Sequence, residues 1–247
     1  MKERKFGISA FTLHIFAMLF MLLDHMWATV VTGNIWMNYV GRLAFPIFAF
    51  MLAEGYSHTS NFNKYLKRML IFALISEIPF NLMNAGGLFD PFHQNVMWTF
   101  LISLIALKLI DKVFSSDKTK LIKYLSVALL TILFVALGAI TFVDYGGFGV
   151  LTVIMFYLLR GHKWWNYVGQ IIAIYLINFV FLQNMDIPFT LFGREFFFPT
   201  QGFAIFSLIF IFLYNGKQGL HNKYIKYFNY LFYPVHILIL SLIALWH

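Results

Sequence analysis

Asp24 and His25 stand side by side in LFMLLDHMW (residues 19–27), and Arg42, Glu54 and Glu77 interrupt other apolar runs. A charge near the centre of a bilayer costs about 2.5–3.5 kcal/mol on insertion scales, so ionisable groups gathered at one membrane level read first as a functional site. Histidine exchanges protons near neutral pH. Arginine can neutralise a carboxylate or stabilise a developing negative charge. Asp144 and the loop FHQN at 92–95, with His93, Gln94 and Asn95, add further polar groups. The chemistry on offer is proton transfer beside an anion-stabilising cation, or the proton relay of a transporter.

Helical geometry separates the first two residues. Neighbours on a helix point about 100° apart, which disfavours a dyad in which Asp24 orients the His25 ring. Asp24 is expected to meet Arg42, and His25 to take its partner from another helix, with Glu77 or Asp144 nearest in depth. His14 lies eleven residues before His25 on the same face, about 16 Å away. His14, Glu54 and His236 are assigned to the inner half of the membrane. A plainer reading stands beside each of these. His14 can bond a neighbouring carbonyl, and the Asp24–Arg42 pair can be a structural tie between helices. Pro46 and Pro79 are expected to kink their helices. Trp98, Trp164 and Trp165 read as interfacial anchors. YGGFG at 145–149 reads as a tight turn or a close helix approach.

The elements that must position these groups are membrane helices. Of the 247 residues 61% are hydrophobic and 11% charged, where a soluble domain has about 45–50% and about 25%. Runs near the roughly 20 residues needed to cross the hydrocarbon fall at 8–31, 36–56, 66–84, 95–111, 121–142, 147–160, 166–183, 201–214 and 229–246. The fold class expected is therefore all-α, a polytopic membrane protein of about nine transmembrane helices in a single domain over 1–247. With a cytoplasmic N-terminus, the inner segments hold Lys2, Arg4, Lys5, Lys64, Lys112, Lys118, Lys120, Lys163, Lys217, Lys223 and Lys226. Lys67, Arg68, Lys108, Lys123 and Arg160 border them, and the outer loops keep only Arg194. That asymmetry fits the positive-inside rule and an odd number of spans.

Several classes drop out. The chain has no cysteine, hence no disulfide, thiolate metal site or cysteine nucleophile. The net charge of +8 is scattered between apolar spans rather than gathered on one wet patch, which argues against nucleic acid. The first apolar run is too long for a signal peptide and lacks a cleavage site, so it reads as a retained helix. No H-x3-H or E-x2-H spacing appears, and no metal is expected.

The words MLLDHMW (21–27), GRLAFPIFAFMLAEGYSHTSNFNKYLKRML (41–70), FALISEIPFNLM (72–83), HQNVMWTFLISL (93–104), VDYGGFGVLTVIMFYLLR (143–160) and YLFYPVHILIL (230–240) together resemble the TraX family over most of the chain. TraX proteins are polytopic bacterial membrane proteins known from conjugation, where one acetylates the pilin N-terminus. The family is similar to the integral-membrane acyltransferases, which take acyl groups from cytosolic acyl-CoA to acceptors on the far side. The resemblance implies a bacterial cytoplasmic-membrane location, acetyl-CoA as acyl donor, and an amine or hydroxyl acceptor (a pilin-like peptide, a glycan or a small amine). It places the family's helix-one histidine on His25 beside Asp24, the Gly-Arg motif on Gly41 and Arg42, and an acid on Glu54. Glu77, His93, Gln94, Asn95, Asp144 and His236 match the later words. Family members commonly carry Lys or Arg where His14 stands, and a neutral imidazole binds an anionic carrier less well than a fixed cation.

Together these make an acetyl-CoA-dependent acyltransferase the leading expectation. His25 is the candidate base, Arg42, Asn95 or Gln94 candidate oxyanion donors, and Glu77 or Asp144 the orienting group. Lys64, Lys67, Arg68, Arg160 and Lys163 are candidates for the coenzyme A phosphates, with His14, Glu54 and His236 further cofactor-side candidates. A proton-coupled transporter or flippase, and a non-catalytic assembly factor for a surface structure, are the alternatives. The loop 183–200, rich in aromatic residues, either covers a site or lies on the membrane surface.

Overall fold

A computed structural model describes residues 6–182 and 185–246. Lys2, Arg4 and Lys5 of the positive-inside pattern lie outside the described residues. The chain is mostly helical: α1 (Ala10–Thr29), α2 (Ile35–Gly41), α3 (Ala44–His58), α4 (Phe62–Ala85), α5 (Val96–Phe114), α6 (Lys120–Ile140), α7 (Gly146–Leu158), α8 (Trp164–Tyr175), α9 (Ser207–Leu213) and α10 (Lys223–Ala244). A π-helical stretch, Leu176–Phe181, extends α8, and a 3₁₀ segment, Thr200–Phe206, leads into α9.

Among the described residues, five stretches are long and apolar enough to cross a membrane: Ala10–Thr29, Ile35–His58, Lys120–Ile140, Trp164–Phe181 and Lys223–Ala244. The apolar helices Gly146–Leu158 and Thr200–Leu213 are shorter. α4 and α5 have 24 and 19 residues but carry more charged and polar side chains. These are the properties of a multi-pass membrane protein.

The chain divides into two compact units, one of residues 1–48 and 159–247, the other Ala49–Leu158. In the first, α1 packs on α2 and α10, and the 3₁₀ segment packs on α2, α8 and the π-helical stretch. Its core includes the fully buried Leu13, Ile174 and Ile237. In the second, α5 packs on α4, α6 and α7 around Leu104, Leu107, Ile110, Val150 and Ile154. YGGFG serves both of its expected uses there. Tyr145 and Gly146 turn the chain with positive φ (60° and 51°), and a Cβ on Gly147 would collide with the Val135 backbone of α6.

Pro46 acts as expected: the span Ile35–His58 breaks at Arg42–Leu43, one turn before the proline, whose ring and missing N–H disturb a helix at the residue four before it. Pro79 lies inside α4. Two expectations are corrected. The fold is not purely helical, because β1 (Asp186–Leu191) and β2 (Arg194–Pro199) form an antiparallel hairpin. Trp98 is no simple anchor, since its indole N–H donates to Glu77 at 2.9 Å. Trp164 and Trp165 are exposed and pack edge to face, as anchors would.

Candidate functional site

The first unit gathers a polar line across four segments. Arg42, in the break after α2, pairs with both carboxylate oxygens of Asp24. Asn38, one turn earlier, donates to the same carboxylate at 2.9 Å. Gly41 makes the approach possible: a Cβ there would lie 2.7 Å from Asp24 Cγ and closer to its Cβ. Arg42 Nη1 donates to Gln201 Oε1 at 3.2 Å, and Gln201 Nε2 donates to Asn178 Oδ1 at 3.0 Å. Asn178 closes the line by donating to the Ile174 carbonyl at 2.9 Å. Asn38, Asn178 and Gln201 are buried, so each satisfied donor here offsets a desolvation cost of about 1–3 kcal/mol. Asp24 meets Arg42, the partner expected for it. Gln201 and Asn178 went unnoticed because an uncharged amide near the end of an apolar run carries no sequence signal.

His25 turns away from this line to α10. Its Nδ1 lies 2.7 Å from His236 Nε2, with ring centroids 5.0 Å apart and planes 8° apart. The rings therefore meet edge to edge in nearly one plane, as an in-line N–H···N bond needs. The protons can be assigned from the far end. His236 Nδ1 lies 2.6 Å from the Phe232 carbonyl, which can only accept, so Nδ1 carries the hydrogen. In neutral His236, Nε2 is then the acceptor, and His25 Nδ1–H donates to it. His25 keeps its lone pair on Nε2, which makes no hydrogen bond among the described residues. That is the tautomer a general base requires.

This corrects the depth given to His236 and the partner given to His25. α10 begins at Lys223, six residues before the apolar run was judged to start, so His236 falls in mid-helix. His25 is also well along its own helix. Glu77 and Asp144 have other partners, in the second unit. Glu77 accepts from Asn95 and Trp98, and its Oε1 is buried with no hydrogen-bond partner among the described residues. Asn95 caps α5, accepting from Met97 N at 3.0 Å, and gives both amide hydrogens to Glu77 and to the Ala73 carbonyl. It has no donor left for an oxyanion. Gln94 gives one amide hydrogen to the Asp90 carbonyl, at 3.0 Å.

A backbone bridge between Gln94 and Val143 brings His93 within 3.8 Å of Asp144. Thr99 holds that loop by donating to the Asp144 carbonyl at 2.6 Å. The His93 pKa is raised, first by its contact with the Asp144 carboxylate; desolvation by burial is the next effect and opposes the rise, and the charges of Asp144, Asp90 and Glu77 each add a smaller upward pull.

The remaining candidates are placed as follows. His14 meets the Phe48 ring edge-on at 6.2 Å. Glu54 is buried and faces His58 one turn on, at 3.1 Å. Lys64, Lys67 and Arg68 occupy the first two turns of α4, the two lysines exposed and Arg68 beside the Tyr65 ring. Arg160 is exposed after α7, and Lys163 precedes α8 with its ammonium 4.7 Å from the Trp165 ring centroid. Asp111, absent from the candidates taken from the sequence, accepts from the buried Tyr56 and Tyr157 hydroxyls at 3.3 and 3.1 Å. No group of three or more His, Cys, Asp or Glu among the described residues is arranged to hold a metal ion.

Comparison with known proteins agrees with the words quoted from the sequence. The family described as TraX protein matches residues 9–244. A probable fimbrial assembly protein, FimC of serogroup H1, from Dichelobacter nodosus is 30% identical over 252 residues, covering 96% of each chain. No solved structure matches. A family match over nearly the whole length, with a relative aligned almost end to end, makes this chain a member of the TraX family.

Proposed function

We propose that the protein is a membrane-embedded acyltransferase that moves an acetyl group from acetyl-CoA to an amine or hydroxyl. The observation that carries this reading is the His25–His236 pair, which leaves His25 Nε2 as a directed proton acceptor. In the reaction, Nε2 takes the proton of the acceptor N–H or O–H. The nucleophile's electron pair bonds to the thioester carbonyl carbon, and the carbon–sulfur bond breaks with its pair going to sulfur. The proton held on His25 then passes to the departing thiolate. Arg42 is the cation assigned to stabilise the oxyanion, and Asp24 and Gln201 hold its guanidinium in place. His236 is a positioning residue.

The finer topology belongs to the same proposal. Nine spans with a cytoplasmic N-terminus, in the bacterial inner membrane, put Lys64, Lys67, Arg68, Arg160 and Lys163 on the cytosolic side, where coenzyme A phosphates are available. Exposed Lys64 and Lys67 in the opening turns of α4 suit an anion, because the helix dipole adds to their charge. A relative named as a probable fimbrial assembly protein is compatible with a fimbrial subunit as acceptor, and equally supports a second reading, a non-catalytic factor in fimbrial assembly.

One experiment separates these. Purified protein in lipid nanodiscs is incubated with acetyl-CoA and a panel of peptide-amine and hydroxyl acceptors, and free thiol is measured. His25→Ala should abolish transfer with unchanged folding. His236→Gln, whose carbonyl oxygen still accepts from His25 Nδ1–H, should retain more activity than His236→Ala. Transfer at the wild-type rate in His25→Ala refutes the assignment. No thiol release with any acceptor, together with fimbriation unaffected by His25→Ala, favours the assembly factor.

A further inference from the structure

The β1–β2 hairpin takes no part in the site above, and its side chains are sorted. Alternation and register put Ile187, Phe189 and Leu191 on one face, opposite Phe198, Phe196 and Arg194. The Phe189 and Phe196 rings lie 5.5 Å apart at 23° on that face. The other face carries Asp186, Thr190 and Glu195, with Phe197 its one large apolar side chain. At the base Phe198 packs on Phe179 and Phe203. Further out the same apolar face is uncovered, and at the tip Phe192 is 96% exposed.

The tip sharpens the question. Phe192 and Gly193 have φ of 50° and 73°, the tight turn that normally takes Asn-Gly. A bulky side chain is disfavoured at positive φ. A ring held there and pushed outward fits a tip that something apolar receives.

The neighbouring segments identify the receiver. The hairpin is tethered between the candidate span Trp164–Phe181 and the apolar helix Thr200–Leu213, and a Thr200 N to Met185 O bond of 2.8 Å closes its base. A hairpin so tethered stands at the membrane boundary, and Val180 and Phe181, at the end of the preceding span, are exposed as well. Arg194, on the apolar face near the tip, has a stem long enough to lie along apolar surface while its guanidinium reaches lipid phosphates. Both acids point the other way.

We propose that this hairpin lies in the bilayer interface, with the Phe189–Phe196 face and the Phe192 ring seated among the lipids and Asp186 and Glu195 toward water. It rests on embedding of the flanking helices and is independent of the acyl-transfer reading. Because the chain has no cysteine, single replacements Phe189→Cys, Thr190→Cys, Leu191→Cys and Phe192→Cys can each carry one nitroxide label on full-length protein in phosphatidylcholine–phosphatidylglycerol liposomes. Collisions with oxygen, which enters lipid, and with a water-soluble nickel chelate report the depth of each label. The expected oxygen-to-nickel ratio is several-fold higher at 189, 191 and 192 than at 190. Equal ratios, or the reverse order, overturn the proposal. Immobilised labels shielded from both reagents would mean a protein partner, and also overturn it. Positions 189 and 191 lie in the strand, so a turn loosened by Phe192→Cys leaves the test standing.

Discussion

Replacing Gly41 by alanine probes how the Asp24–Arg42 pair is held. Gly41 ends α2 without a positive φ, so alanine suits its backbone and in an open helix would gain about 0.5–1 kcal/mol. Here the new methyl would lie 2.7 Å from Asp24 Cγ, against ordinary carbon contacts of about 3.5–4.0 Å. Asp24 must therefore withdraw by about 1 Å, or α1 and α2 must part by as much. Withdrawal weakens the Asn38 and Arg42 bonds to its carboxylate, and charge-assisted bonds contribute about 1.5–3 kcal/mol each. The side chains are 14% and 17% exposed, so water recovers part of that loss. The net expectation is about 2–4 kcal/mol of destabilisation, set by the bonds lost less the helix-propensity gain. Denaturant unfolding in detergent micelles, followed by tryptophan fluorescence, measures it. Gly33→Ala is the control, because nothing lies within 4 Å of its added Cβ. A Gly41→Ala stability within about 0.5 kcal/mol of wild type, the range of innocuous surface changes, would refute the reasoning.

Gln201→Leu strips the acceptor from Arg42 and the donor from Asn178. It should cost about 2–4 kcal/mol in the same unfolding assay, and a loss below about 1 kcal/mol would mean that water replaces the amide. The raised His93 pKa makes the His93–Asp144 contact pH-dependent. Its stabilisation is complete below the ordinary histidine value of 6.5 and is lost as pH rises through the higher folded-state value. Unfolding midpoints from pH 6 to 9 should fall more steeply in wild type than in Asp144→Asn, and equal slopes would contradict the pairing. Lys64→Ala with Lys67→Ala should weaken thermal stabilisation by acetyl-CoA roughly tenfold in concentration, more at low salt than at high. An unchanged concentration dependence would remove these lysines from the proposed donor site.

The sequence disclosed those features that follow from local rules. The Asp24–Arg42 pair could be anticipated because a charge in an apolar run needs a counter-charge and the helical period denied His25 to Asp24. His236 could not be matched to His25, because depth counted from apolar runs slips when a helix starts in polar residues, as α10 does at Lys223. Glu54 and His58 stand four residues apart, so their contact on one face of α3 follows from helical spacing alone. The hairpin escaped for another reason. Its turn is Phe-Gly rather than Asn-Gly, Pro188 argues against a strand, and consecutive phenylalanines hide the alternation. Gln201 and Asn178 needed the fold itself, since nothing in the chain marks two amides 23 residues apart as partners.

The separation of the two pairs along the chain bears on the order in which the protein is made. Asp24 and Arg42 are 18 residues apart, Asp24 in α1 and Arg42 just after α2, so the two are synthesised within moments of each other. They can enter the bilayer as an already neutral hairpin, without waiting for the rest of the chain. His25 has its partner 211 residues downstream. At about 5–20 residues per second the imidazole waits roughly 10–40 s before His236 exists. A nascent or prematurely terminated chain thus carries the insertion-competent ion pair and an unoriented histidine. In the proposed reaction, placement of α10 is the step that orients the base, so reactivity waits for the segment that carries His236.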